Sequence, residues 1–274
     1  MGRFDGVLIV SDLDGTYFGD GGVSVRRNID AVEYFKSCGG LFTFATGRLI
    51  YNVKKSIPDV DRVANLPVIT CNGTCLYDYG AERVVKEYFL NGDDARDMIS
   101  VILGRYADVA VRLSTRGGYA IPGKPNSYIM TDISKFPAGE VSYISVSEIP
   151  VTAAYKMTFR GESDTLDRIK DDIFSEFSGK FEVNKSSPTF LELQPKGHTK
   201  ASMIAELADG IAKRRGRKPV VYAVGDYEND IEMLKNADVA VCPENAHESV
   251  KRICDLVLCD HSEGVIADLI YYRM

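Results

Sequence analysis

The strongest constraint on the fold is a local pattern that recurs along the chain. Residues 7–10, 41–45, 68–71, 220–224 and 239–242 are short apolar runs rich in β-branched residues. Runs of that length and composition read as strands buried on both faces. Helical periodicity lies between several of them. Ile29, Val32, Tyr34 and Phe35 mark one helix, stopped by Gly39-Gly40. Thr199 caps a second, with Met203, Ile204, Leu207, Ala208 and Ile211 as its apolar face, and Ile231, Met233 and Leu234 begin a third. Buried strands alternating with helices predict an α/β fold: a doubly wound parallel sheet with right-handed crossovers. Ligands bind such sheets outside the carboxyl ends of the strands.

The middle of the chain follows a different rule. Residues 109–113, 141–146, 155–160 and 190–193 are strand-like but more polar and more alternating. One helix carries Leu166, Ile169, Ile173 and Phe177, and Gly117-Gly118, Pro122-Gly123 and residues 137–139 punctuate the segment as turns. The expected organisation is a parallel-sheet core from residues 1–81 and 195–274, with an α+β module, residues 82–194, inserted into it.

Composition narrows the function classes. The 274 residues carry 33 Lys+Arg against 39 Asp+Glu, with 45% apolar and 26% charged residues. Those values exclude disorder, collagen and coiled coil as the main theme. The acidic balance argues against a nucleic-acid partner. No apolar run approaches the roughly 18 residues of a spanning helix, so no membrane partner is expected. The short apolar run near the N-terminus ends in acid, unlike a signal peptide. The chain starts Met-Gly, but Gly6 stands where myristoylation requires Ser or Thr. Six cysteines occur without a CxxC pair, and a zinc site from Cys254, Cys259 and His261 fits no common spacing. Reduced thiols in a cytoplasmic protein are the preferred reading. The basic run from Lys213 to Lys218 reads as a solvated helix end, where cations complement the helix dipole and Gly216 terminates the turn.

Four segments carry chemistry. Asp12-Leu13-Asp14-Gly15-Thr16 follows the first strand, and its two carboxylates can hold a metal or attack an electrophile; a capped polar turn is the competing reading. Ala45-Thr46-Gly47-Arg48 closes the second strand with a hydroxyl, a glycine N–H and a guanidinium, donors suited to phosphate oxygens, or simply with a helix cap. Gly225-Asp226-Tyr227-Glu228-Asn229-Asp230 puts more carboxylates after another strand, where Asp226 or Asn229 could also cap a helix. Lys200 starts the helix capped by Thr199. If Asp12, Asp14, Asp226 and Asp230 gather at one sheet edge, repulsion raises their pKa values, and one lysine cannot neutralise them. A hard divalent cation with oxygen ligands can, in the manner of Mg²⁺.

Taken together, these residues resemble the haloacid dehalogenase superfamily, specifically Cof-type phosphatases with a large cap. Asp12 to Thr16 match the first family motif, Ala45 to Arg48 the second, Lys200 the third and Gly225 to Asp230 the fourth. Smaller matches are Asn72-Gly73 after the third strand, residues 191–200 at the exit from the insertion, Asn245-Ala246, and Glu263-Gly264-Val265. Thr74, Cys242-Pro243-Glu244 and Glu263 depart mildly from the pattern without removing a catalytic group. The resemblance implies a Rossmann-like core and an inserted cap that sets specificity. It implies Asp12 as nucleophile and Asp14 as general acid and base. Mg²⁺ would sit on the Asp12 carboxylate, the Asp14 carbonyl and the Asp226 carboxylate, with Asp230 behind. Thr46 and Gly47 would hold phosphate oxygens, Arg48 would add to them, Lys200 would offset charge, and Asn72 and Asn229 would position phosphate or substrate. The implied partner is a small phosphorylated metabolite, foremost a sugar phosphate.

Three other functions fit parts of this pattern: a phosphomutase passing the phosphoryl group to a second hydroxyl, a phosphoacceptor signalling domain, and a non-catalytic metabolite binder. Receiver-type signalling domains are about half as long and lack the fourth motif. Among insertion residues, Arg112, Tyr119, Lys156 and Glu192 are possible contacts, each more simply read as surface or structural.

Overall fold

The structure, a computed structural model, describes residues 2–134, 136, 138–149 and 154–274. Met1 and Pro137, both part of the sequence reading, lie outside them. The chain divides into two compact units, Met1–Lys86 with Thr199–Met274, and Glu87–His198. The first begins with β1 (Val7–Ser11), α1 (Arg26–Ser37), β2 (Leu41–Phe44), α2 (Ile50–Ser56), α3 (Val60–Val63), β3 (Val68–Thr70), β4 (Cys75–Asp78) and β5 (Arg83–Glu87). The second contains α4 (Gly92–Arg105), β6 (Ala110–Thr115), β7 (Gly118–Pro122), α5 (Ser127–Ile133), β8 (Val141–Ile144), β9 (Ala154–Arg160), α6 (Ser163–Glu176), β10 (Phe181–Ser187) and β11 (Phe190–Pro195). The chain then returns to the first unit through α7 (Lys200–Arg215), β12 (Val220–Val224), α8 (Ile231–Lys235), β13 (Val239–Pro243), α9 (Glu248–Lys251), β14 (Leu256–Leu258) and α10 (Val265–Tyr272).

A parallel sheet in the order β14-β13-β12-β1-β2 forms the centre of the first unit. Leu8, Ile9 and Val10 are all fully buried, which is why β1 reads as a continuous apolar run. Ile9, Phe42, Phe44, Val224 and Val241 join Val32 and Phe35 of α1 and Ile266 and Ile270 of α10 in one cluster. Thr199 caps α7 by accepting the Ser202 N–H, a contact typically worth about 1 kcal/mol. Gly216 ends α7 at φ 76°. The basic run is a solvated helix end: Arg215 and Arg217 reach Asp5, and Lys218 reaches Asp209.

One strand departs from the expected parallel sheet. β3 packs on the core through Val68, joins the central sheet by the parallel bridge Ala45–Ile69, and pairs antiparallel with β4 in a small sheet β3-β4-β5. The cause is local. After Thr70 the chain reverses through Cys71, Asn72 and Gly73, all at positive φ. β14, the edge strand of three residues, is too short to register as a pattern.

The second unit holds a sheet in the order β10-β11-β9-β6-β7-β8, antiparallel except for β7 with β8. α4 and α6 cover one face through Met98, Ile99, Ile102, Leu166, Ile169 and Ile173. β7, β10, α4 and α5 escape the sequence reading, and the strand expected over 141–146 stops at Ile144. Both limits of the unit lie later than residues 82 and 194. β5 stays with β4, and the exit folds back on β11: Gln194 Nε2 donates to His198 O at 2.9 Å, and the rings of Tyr88 and His198 stack 3.6 Å apart. Among the described residues, no helix is long and apolar enough to cross a membrane.

Candidate active site

β1 delivers Asp12 at its carboxyl end. The Asp12 N–H donates to Val224 O at 2.9 Å, extending the β1–β12 ladder by one residue. The chain then turns tightly through Leu13–Tyr17, with Gly15 at φ 75°. A Cβ on Gly15 would lie 2.5 Å from Asp226 Oδ2, so this glycine serves both the turn and the carboxylate beside it. Thr16 donates its hydroxyl to Asp226 Oδ1 at 2.9 Å, and Asn245 Nδ2 donates to the Gly15 carbonyl at 2.9 Å.

Lys200 enters from the first turn of α7 and is almost completely buried. Its Nζ donates to Asp12 Oδ1 and to Asp230 Oδ1, both at 2.7 Å. Asp230 accepts from the Asp226 N–H at 3.0 Å and the Tyr227 N–H at 3.4 Å through its other oxygen. A Cβ on Gly225 would lie 2.6 Å from the Asp230 carboxylate, so that glycine is the one residue type the position tolerates. Lys200 therefore ties the loop after β1 to the loop after β12.

The remaining strand-end loops lock onto each other. The Thr46 N–H donates to Ile69 O and the Asn72 N–H to Thr46 O, both at 2.9 Å, and the Cys71 N–H donates to Arg48 O at 3.0 Å. Cys71 and Asn72 are non-glycine residues at φ 54° and 59°, conformations that persist where surrounding contacts over-determine them. A Cβ on Gly73 would lie 2.1 Å from Thr199 O, so the loop packs directly against the start of α7.

Asp12, Thr46, Asn72, Lys200, Asp226 and Asp230 are thus brought together by one set of loops, with Gly47 and Asn229 half-buried on the same loops. Asp14, near enough to act on the charge of Asp12 and Asp226, is paired with Arg48. Arg48 forks the Asp14 carboxylate, with Nε to Oδ2 at 2.8 Å and Nη2 on Oδ1, and Nη1 also bonds Ser56. The guanidinium expected to add to the phosphate contacts is paired with the Asp14 carboxylate in this structure. Thr16, Gly225 and Asn245 carry site geometry that sequence reasoning left without a role. Thr16 and Gly225 lay inside motifs already singled out.

Charge accumulates at this centre. Burial foremost pushes Asp12 well above the usual carboxylate range; Lys200 opposes that, and Asp230, Asp226 and Asp14 add to it. Burial and then Asp230 raise Asp226 to about 7, against the Thr16 hydrogen bond. Burial works to discharge Lys200, but Asp12 and Asp230 outweigh it and hold its pKa above the ordinary value. Asp12, Asp226 and Asp230 each offer a carboxylate oxygen, all within 4.8 Å of one another. Among the described residues this trio gathers metal-ligating atoms; Cys254, Cys259 and His261 do not. Three carboxylates against one ammonium, cradled where Gly15 leaves space, fit a hard divalent cation.

The sequence matches the haloacid dehalogenase-like hydrolases over residues 9–270. The chain belongs to that family. This hydrolase is 24% identical to the Bacillus subtilis 5-amino-6-(5-phospho-D-ribitylamino)uracil phosphatase YwtE, covering 94% of this chain and 95% of that one. It is 24% identical to the Escherichia coli pyridoxal phosphate phosphatase YbhA, with 97% and 98% covered. Its fold resembles SMU.1108c from Streptococcus mutans (TM-score 0.84, 21% identity, 96% and 97% covered). It also resembles BT4131, described as a subclass IIB sugar phosphatase (TM-score 0.78, 21% identity, 97% and 98% covered).

Proposed function

We propose that this hydrolase is a Mg²⁺-dependent phosphomonoesterase that acts on a small phosphorylated metabolite, foremost a sugar phosphate, through an aspartyl-phosphate. The observation that supports this most is the Lys200 bridge between Asp12 and Asp230. It fixes one Asp12 oxygen and leaves the carboxylate anchored at a strand end, as a nucleophile requires.

In this reading an Asp12 oxygen attacks phosphorus and the bond from phosphorus to the leaving oxygen breaks. Asp14 supplies the proton to that oxygen, then takes one from the water that hydrolyses the aspartyl-phosphate, releasing inorganic phosphate and restoring both carboxyl groups. Arg48 is assigned to orienting Asp14, because both Asp14 oxygens face its guanidinium. Thr46 and the Gly47 N–H hold phosphate oxygens, with Asn72 and Asn229 positioning substrate, and Lys200 offsets negative charge as it develops. The Asp12 carboxylate, the Asp14 carbonyl and the Asp226 carboxylate would hold Mg²⁺, which when bound neutralises repulsion between Asp12 and the anionic phosphate. Asp230 positions Lys200 and the Asp226 backbone from behind. The inserted unit, free of the four motifs, is assigned to substrate specificity.

The test is phosphate release from a panel of phosphorylated metabolites and p-nitrophenyl phosphate by EDTA-stripped protein. Mg²⁺ should restore turnover and Ca²⁺ should restore little, because its looser and larger coordination shell misplaces an in-line nucleophile. No release from any ester with Mg²⁺ present, or full activity after exhaustive chelation, overturns the reading.

A further inference from the structure

Two signatures singled out in the sequence have no part in the chemistry above: Asn245-Ala246, and Glu263-Gly264-Val265. In the fold both meet the turn Leu13–Tyr17 that leads away from Asp12. This turn closes on itself from the Phe18 N–H to Leu13 O at 2.9 Å. The carbonyls of Gly15, Tyr17 and Phe18 are taken by side chains of three other segments. Asn245 Nδ2 donates to Gly15 O at 2.9 Å, Asn28 Nδ2 to Tyr17 O at 2.9 Å, and His261 Nδ1 to Phe18 O at 2.6 Å. A carbonyl can only accept, so the Nδ1 position of His261 carries the proton.

Both carboxamides are used at each end. Asn245 Oδ1 accepts from the His261 N–H at 3.0 Å, and Asn28 Oδ1 accepts from the Ala267 N–H at 3.1 Å. Each amide therefore joins a carbonyl of the loop to a backbone N–H of residues 261–267. Gly264 lies within that segment at φ 96°, and a Cβ there would lie 3.0 Å from Asn28 Oδ1. Glycine allows this close approach. Asn28 is fully buried, His261 half-buried and Asn245 exposed.

What this clasp controls follows from the turn it holds. Asp14 (φ −80°, ψ 123°) and Gly15 (φ 75°, ψ 3°) have the angles of the two central residues of a type II turn. Types I and II differ by rotation of the peptide between those residues, which reverses its carbonyl. Here that carbonyl belongs to Asp14, the one assigned to the cation. Gly15 O, which follows it, is held by Asn245, and the next side chain, Thr16, donates to Asp226. With Gly15 O fixed, the preceding peptide has less freedom to rotate.

We propose that Asn245 and His261 are positioning residues for the metal site: by holding the loop after β1 they fix the direction of the Asp14 carbonyl. The proposal rests on the phosphatase reading and deepens it. Both residues act through the backbone of the loop rather than on the reacting atoms. Removing groups that orient metal ligands commonly costs about 10- to 100-fold in metal affinity. Asn28 holds the same loop from within the core, so the two less buried residues carry the test.

The experiment is calorimetric Mg²⁺ titration of metal-free protein without substrate, alongside Tm in EDTA and hydrolysis of p-nitrophenyl phosphate. Asn245→Ala and His261→Leu should each raise the Mg²⁺ Kd by about tenfold or more, with Tm in EDTA within about 3 °C of wild type. His261→Asn should return Kd to within about threefold of wild type, because the Asn Nδ2 can replace the ring Nδ1 as donor to Phe18 O. A merely structural role predicts a lower Tm with Kd unchanged, and no difference in Kd between His261→Asn and His261→Leu. Either of those results overturns the proposal. Failure of Mg²⁺-bound wild type to hydrolyse the ester would instead sink the phosphatase reading, and the Kd ratios would still decide this one. A wild type that binds no Mg²⁺ overturns both.

Discussion

The Asp226 carboxylate occupies the space that a side chain on Gly15 would need, with Oδ2 2.5 Å from the position of a Cβ there. Two loops far apart in sequence are thereby fitted to one another at the acidic centre. Gly15→Ala should displace Asp226 and break its bond from Thr16. Divalent-metal affinity is expected to fall by about 10- to 100-fold, the usual cost of disturbing groups that orient a ligand. Titration of Mg²⁺ against phosphate release checks this, and an unchanged activation constant contradicts it.

Asp12→Asn should abolish turnover while the protein stays folded. A neutral amide is a poor nucleophile toward phosphorus, yet it keeps the shape of the side chain and relieves a carboxylate that burial disfavours. The loss should exceed about a thousandfold in kcat with Tm equal to or above wild type. Activity within about tenfold of wild type removes Asp12 from the role.

Lys200→Met tests the bridge as a structural element. Truncating one partner of a buried ion pair costs about 3–5 kcal/mol, because the other charges stay buried and unpaired. Here two carboxylates, Asp12 and Asp230, lose their partner. Denaturant unfolding should report a loss of that size, larger at neutral than at mildly acidic pH. A loss below about 1 kcal/mol would mean that other groups neutralise the pair.

The pH dependence of the metal-free protein has a definite sign. Asp226 is raised from 3.8 to about 7 on folding. A raised carboxyl stabilises the fold below its unfolded value, and the contribution is lost as pH rises through about 7. Asp61, Asp209 and Asp260 are lowered instead, and their opposite effect is confined to acid below their ordinary range. With EDTA present, Tm should therefore fall between about pH 5.5 and pH 7.5, and Mg²⁺ should raise Tm more at the upper value. A chelated Tm that is flat or rising across this window is the contrary result.

Where the sequence carried a complete local signal, the structure follows it. Thr199 and Gly216 delimit α7 because a cap hydroxyl and a left-handed terminator act within a few residues. The second unit was harder to read. α4 is capped by Asn91, whose side chain accepts from the Asp93 and Asp94 N–H groups, and its apolar face of Ala95, Met98, Ile99 and Ile102 keeps helical spacing, a signal the sequence reading passed over. β7 lies between two glycine turns that were read as punctuation alone.

The sequence by itself determined that β1, β2, β3, β12 and β13 are strands, and hence that the acidic and hydroxyl-bearing motifs sit on loops at the ends of β1, β2 and β12. These follow from periodicity, capping and β-branching, which act over a few residues. Only the tertiary structure decided that Arg48 clasps Asp14, that Lys200 joins Asp12 to Asp230, and that Gly15 and Gly73 are spaces for another segment's atoms. It also decided that Asn28, Asn245 and His261 hold carbonyls of the loop after β1, and that Arg112, Tyr119, Lys156 and Glu192 lie buried. Each of these depends on strand register and on which loops meet across long separations. A local pattern carries no information about either until the chain has closed on itself.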